Sequence, residues 1–324
     1  MHFVASRKKA DASLAIAPFG SRRKRRMSSF EISLLLMAIP FFAFIVLFNY
    51  VPLVGWWMAF FRYTPGVPLA RSAFVGLKYF NALFTYTSEF KQVMINTFAI
   101  SLIGIAMSPF PAFFAIVLTE IRYERLRKFV QVSSSLPNFM SWVIVYSVAF
   151  SFFAIDDGLV NNVLRALAPN ATGWNVLGNK NIVWVFQNLV LMWKGAGWTA
   201  IIYIATIAGI DPELFEAASV DGASRFQRIM HITVPSILPT FTVLLLLNIG
   251  WMLSGTTFEQ IFVFHNSLVH DRIQTIDYYV YTTGLRQLNF SLATAVGIFK
   301  TVISVVLLSF AGIVSKRLVG RAII

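Results

Sequence analysis

Long apolar runs separated by short polar segments make up most of this chain. The runs lie at about 32–57, 92–118, 130–155, 181–207, 236–253 and 291–314. A helix needs about 20 apolar residues to cross a bilayer, and these runs meet that length. None shows the two-residue alternation of a membrane β-strand. The pattern predicts an all-α polytopic membrane protein with about six transmembrane helices. Residues 1–29 read as a basic arm, 30–91 as the first helix with an external segment, 92–315 as the main membrane core, and 316–324 as a tail. The first run is too long for a signal peptide and has no small-residue cleavage site, so it reads as an uncleaved helix. Pro109, Pro111 and Pro137 fall inside expected spans, where they remove backbone hydrogen bonds and kink helices.

Composition agrees. Of 324 residues, 57% are hydrophobic and 13% charged, against about a quarter charged in soluble domains. The net charge of +13 would suggest nucleic acid in a soluble protein. Here it follows the topology. The arm, the segments at 122–128 and 211–233 and the tail hold 17 of the 27 Lys and Arg, and the three opposite segments hold eight. By the positive-inside rule both termini are cytoplasmic. There is no Cys, which excludes disulfides and thiolate chemistry. The opposite segments at 62–91, 156–180 and 255–290 read as external loops, the last long and polar.

One inward segment has its own design. Asp211-Pro212-Glu213 is a helix start, with Asp as N-cap and Pro at the first position. The helix runs through Glu216, Ala217 and Ala218, and Asp221-Gly222 is a turn signal that stops it. A second short helix leads through Ile232 to Pro235 and the next span. Small Ala side chains allow close approach, and Glu216 offers a charge-assisted contact. The segment reads either as a docking surface for a partner or as an amphipathic loop on lipid headgroups, with Arg225 and Arg228 near phosphates.

Other chemistry is sparse. No Gly-x-x-x-x-Gly-Lys-Ser/Thr stretch exists to cradle ATP. His2, His231, His265 and His270 are scattered without metal-ligand spacing, so neither a metal site nor a catalytic site is expected. Lys194 and Lys300 lie inside spans, where a charge costs roughly 2.5–3.5 kcal/mol on insertion scales. Each either faces a watery cavity and attracts an anionic or hydroxyl-rich solute, or meets a carbonyl or carboxylate of a neighbouring helix. Gln187, Asn188, Asn248 and Trp251 suit sugar recognition, because amides bond to hydroxyls and indoles pack on pyranose rings. Packing roles are the competing reading for each.

The order Glu-Ala-Ala, three residues, Gly, nine residues, Ile, one residue, aliphatic, Pro at 216–235 resembles the signature loop of permease subunits in binding-protein-dependent ABC importers. Further segments resemble the oligosaccharide and polysaccharide branch: Asn49-Tyr50-Val51-Pro52-Leu53, Ser141-Trp142-Val143, Trp193-Lys194, Phe258-Glu259-Gln260 and Ala293-Thr294-Ala295-Val296-Gly297. The resemblance covers nearly the whole chain after Ser29 and leans toward importers of uronate polysaccharides such as alginate. It implies a type I importer permease fold with a cytoplasmic coupling helix around Glu216. It also implies alternating access driven by two separate ATPase subunits that bind ATP and Mg, a second related permease, a periplasmic solute-binding protein and an oligosaccharide cargo. A stand-alone carrier or channel would show paired acids or inverted repeats in its spans. A membrane enzyme would show convergent catalytic groups. Neither pattern is present.

Overall fold

The computed structural model describes residues 29–85, 88–168, 172–253 and 258–319. The basic arm through residue 28 and the tail from residue 320 lie outside the described residues. Those described are helical apart from turns, loops and one isolated antiparallel bridge between Phe61 and Phe74. The chain divides into two units at Val54. The first contains the helix Ser29–Ile45 and a π turn at Val46–Tyr50. The apolar helical stretch Ser33–Phe60 (α1) is long enough to cross a membrane.

The second unit holds the rest. Four more helices are long and apolar enough to span: Ser88–Thr119 (α2), Val183–Ala208, Arg225–Gly250 and Phe290–Ile313. The remaining span differs from expectation. The run at 130–155 is not one kinked helix but two segments, Glu124–Ser135 (α3) and Trp142–Phe153 (α4). The helices flanking this break turn by 108°. Pro137 sits in a 3-10 turn, Leu136–Phe139, that follows α3. Met140 then becomes extended, and Ser141 caps a new helix by accepting from the Ile144 amide. Pro supplies no N–H to carry the first helix through. With 12 residues, α4 is about 18 Å long, shorter than the hydrocarbon layer.

Further helices of this unit include Val183–Ala208 (α5), Pro212–Val220 (α6), Arg225–Gly250 (α7), Phe258–Phe264 (α8), Ile276–Tyr281 (α9) and Phe290–Ile313 (α10). Residues 258–290 do not form the expected polar loop. Ile261, Val269, Ile273 and Ile276 are fully buried there. This segment feeds two hydrophobic clusters, one around Trp142, Phe186 and Phe264, the other around Phe90, Tyr279 and Val296. Several of its polar groups are paired inward, although Gln260 Oε1 and Thr275 Oγ1 find no hydrogen-bond partner among the described residues. Asn96 of α2 is fully buried and donates to the Asp271 and Gln274 carbonyls at 2.9 and 3.1 Å. Gln260 donates to Gln187 of α5 at 2.7–2.8 Å. Hydrogen-bonded amides let polar residues enter a core at little cost, so polarity alone misjudged the segment.

A histidine pair makes this segment sensitive to acid. His265 Nε2 lies 2.7 Å from His270 Nδ1, and the His265 ring stacks on Tyr278 at 4.6 Å. One nitrogen must donate and the other accept, so the pair holds at most one positive charge while the contact lasts. Burial first, then His270 and Arg286, hold His265 below its ordinary range. The adjoining Asp271 is paired with Lys180 at 2.8 Å. A depressed imidazole value means stability present above the unfolded value of about 6.5 and lost as pH falls through the folded one. Amide exchange across 265–278, corrected for intrinsic rate, is expected to quicken as pH drops from about 7 to about 5. Constant protection over that interval would contradict the assignment.

Candidate functional site

The segment after α5 is built by caps rather than by a core. Asp211 Oδ1 accepts from the Glu213 amide at 3.0 Å, and Pro212 occupies the first position of α6. None of the nine residues of α6 is buried, so an isolated helix of this length would be marginal. Its far end is closed by two bonds, Ala223 N–H to Ala218 O at 2.9 Å and Gly222 N–H to Ser219 O at 3.2 Å. That 6→1 and 5→2 pair requires a left-handed residue at Gly222, and Gly222 has φ +78°. Ser224 and Gln227 then form a reciprocal capping box. Arg228 reaches back to donate to Ser219 Oγ at 2.8 Å, and Arg225 approaches Glu120, just past the end of α2, at 3.9 Å.

Glu216, Ala217, Asp221 and Gly222 are exposed, and Ala218 is half-buried. Val220 is 88% and Phe226 71% exposed, so apolar side chains flank the acid. Ile232 is half-buried and Pro235 exposed, on either side of buried Thr233. Pro235 has no N–H, and α7 takes a π turn at Ile229–Thr233 just before it. The result is a short, rigidly capped protrusion fixed to the start of α7.

Between the spans lies a cavity of about 710 Å³. Of the candidate path residues, Asn188, Asn248 and Trp251 line it. Asn188 also ties α5 to α2 by donating to Ile100 O at 3.0 Å. Gln187, Lys194 and Lys300 do not line it. Gln187 is buried against Gln260. Lys194 donates to the Asn138 carbonyl at 2.7 Å and lies 5.4 Å from the Trp142 ring centroid. Lys300 is ion-paired with Asp277. Each lysine thus meets a carbonyl or a carboxylate of a neighbouring segment. Sequence reasoning missed Asn138, Tyr203, Trp198 and Asp277, which also line the cavity. Asp277 falls in the segment read as a polar loop, so its pairing with a span lysine carried no local signal.

Several spans, a capped protrusion between two of them and a mainly apolar cavity with scattered amides, hydroxyls and indoles suit the membrane subunit of a transporter. The chain belongs to the family of binding-protein-dependent transport system inner membrane components, whose model matches residues 101–320. It is 38% identical over 285 residues to the polygalacturonan/rhamnogalacturonan transport system permease protein YteP of Bacillus subtilis (strain 168), covering 88% of each chain. It also resembles a chain of a bacterial ABC transporter involved in the import of the acidic polysaccharide alginate. There the TM-score is 0.81 at 32% identity, over 89% of this chain and 96% of that one. A chain of a bacterial alginate ABC transporter, solved in complex with an alginate pentasaccharide-bound periplasmic protein, matches with TM-score 0.83 at 31% identity, over 91% and 97%.

Proposed function

We propose that this chain carries acidic, uronate-type oligosaccharides across the membrane by alternating access, driven by ATPase subunits that dock on the protrusion around Glu216. The capped, unburied α6 carries the reading. A helix held only by its ends, with an acid and apolar side chains outward, has surface to offer a partner. Rigid attachment to α7 and the Arg225–Glu120 contact pass a push on α6 toward α7 and α2. The partner subunits bind ATP and Mg, since this chain has no phosphate-cradling loop. The excess of Lys and Arg on the segments that share a side with the protrusion supports a cytoplasmic site with both termini inside.

A loaded solute-binding protein delivers cargo to the opposite face. A second, related permease completes the pathway, because one chain supplies one coupling loop. The acidic cargo is supported by the two relatives, named for polygalacturonan/rhamnogalacturonan transport and for alginate import. Neutral amides, hydroxyls and indoles in the cavity suit sugar hydroxyls and ring faces.

The test is co-expression with neighbouring transporter genes and reconstitution in vesicles. ATPase subunits are expected to co-purify, and uptake of oligogalacturonate or oligoalginate to require ATP and the binding protein. Uptake by the chain alone, or labelling of residue 216 from outside intact cells, would overturn the proposal.

A further inference from the structure

The wall of the cavity carries one charged side chain among the described residues, and its sign is negative. Every other lining residue is apolar or bears an amide, a hydroxyl or an indole. The charge belongs to Asp277, in the first turn of α9. Lys300, on α10 and outside the wall, forms an ion pair with it through Nζ and Oδ1. Their side chains are 22% and 17% exposed, so little water screens either group. No second partner holds the Asp277 carboxylate among the described residues.

A bare carboxylate here would repel an acidic chain, since like charges interact strongly where water is scarce. A bare ammonium would do the reverse. Transit needs cargo to enter readily yet leave, so a fixed cation facing the path holds an anion too long. Cancelling the charge with a partner set behind the wall avoids both outcomes.

We propose that the Asp277–Lys300 pair is a charge filter that makes the path electrically neutral to acidic cargo. The proposal rests on the acidic-oligosaccharide reading above. It differs from a cation attracting the cargo directly, because the ammonium is occupied by Asp277.

The test uses the reconstituted complex and two cargo pairs, oligogalacturonate and oligoalginate, each as free acid and as methyl ester. The ester keeps the sugar skeleton and loses the charge. Lys300→Gln is expected to lower the acid-to-ester uptake ratio by about tenfold or more. Asp277→Asn is expected to tighten apparent binding of the free acid and slow its turnover, by about tenfold each, with the ester little changed. Asp277→Asn with Lys300→Gln restores a neutral wall and the wild-type ratio. The swapped pair, Asp277→Lys with Lys300→Asp, keeps the ion pair but turns its cation to the path. Charge cancellation is kept, so it should retain the wild-type acid-to-ester ratio, which covers the case where single variants fail to assemble.

Equal losses for acid and ester in the single variants would reduce the pair to a structural tie, and a swapped pair with an altered acid-to-ester ratio would show that cancelling the charge is not enough; either result would overturn the proposal. A wild-type complex that imports only the esters would overturn both this proposal and the cargo reading beneath it.

Discussion

Replacing Gly222 with Val is expected to abolish coupled uptake while the spans stay folded. Gly222 has φ +78°, a region that β-branched residues almost never enter. A Cβ there would meet nothing within 4 Å, so the whole effect comes from the backbone. An L-residue in this conformation costs about 1–2 kcal/mol, and a β-branched one more. If the residue moves to negative φ, the bonds to Ala218 O and Ser219 O break. The last turn of α6 then loses its closure, and no buried face is there to hold it. The docking geometry goes with it. A penalty of about 2–3 kcal/mol corresponds to roughly 30- to 150-fold weaker association.

The graded series separates backbone from contact. Gly222→Ala should lose less than Gly222→Val, because its side chain is smaller. Gly222→Asp tolerates the left-handed region better than either, yet it adds a charge to the face turned to the partner. ATPase pull-down and cargo-stimulated ATP hydrolysis report coupling, and thermal unfolding of the permease in detergent should barely move. Normal pull-down by the Val variant, with its loop still in place, would remove α6 as the point of contact.

The sequence was most legible where one physical rule dominated. Bilayer thickness located four spans to within about four residues, because only long apolar runs meet it, while α7 begins well before the expected run, at Arg225. Cap and turn chemistry located α6, since Asp211, Pro212 and Gly222 each serve a backbone need that few residues meet. The third span was less clear. Pro137 announced a bend but not its 108° angle, which depends on where Ser141 restarts the helix. Residues 255–290 were read as an outer segment from the alternation of spans, and as a long polar one from composition, yet Gln260, Gln274, Thr275 and Thr283 are buried. Where these side chains are paired over distance, as Gln260 is with Gln187 and Gln274 with Glu89, spacing within one segment carries no trace of the partner. The same limit hid Asp277.

Gly197→Ala is expected to be the most damaging single methyl addition in the membrane core. A Cβ at Gly197 would sit 2.1 Å from the Ser134 carbonyl oxygen and 2.3 Å from its carbon. Both are backbone atoms of α3, so no rotamer change relieves the overlap, and the helices must separate. Close helix approach over small residues is a main source of packing energy in lipid, where no hydrophobic force drives helices together. Overpacking costs about 1–3 kcal/mol when side chains can adjust, and here they cannot, so the upper end applies. Gly195, two positions earlier, provides the control. It lines the cavity, and a Cβ there meets nothing within 4 Å. Gly195→Ala should leave the melting temperature nearly unchanged, whereas Gly197→Ala should lower it by several degrees and cut the yield of folded permease. Function should fall further than stability. Forcing α3 off α5 also shifts Asn138, which lines the cavity and accepts the Lys194 ammonium at 2.7 Å. Uptake per folded molecule is therefore expected to drop about tenfold in Gly197→Ala, since a displacement near 1 Å can cost that much or more. Two alanine variants with indistinguishable melting and uptake would mean that α3 and α5 do not meet at Gly197, and the cavity wall would have to be redrawn.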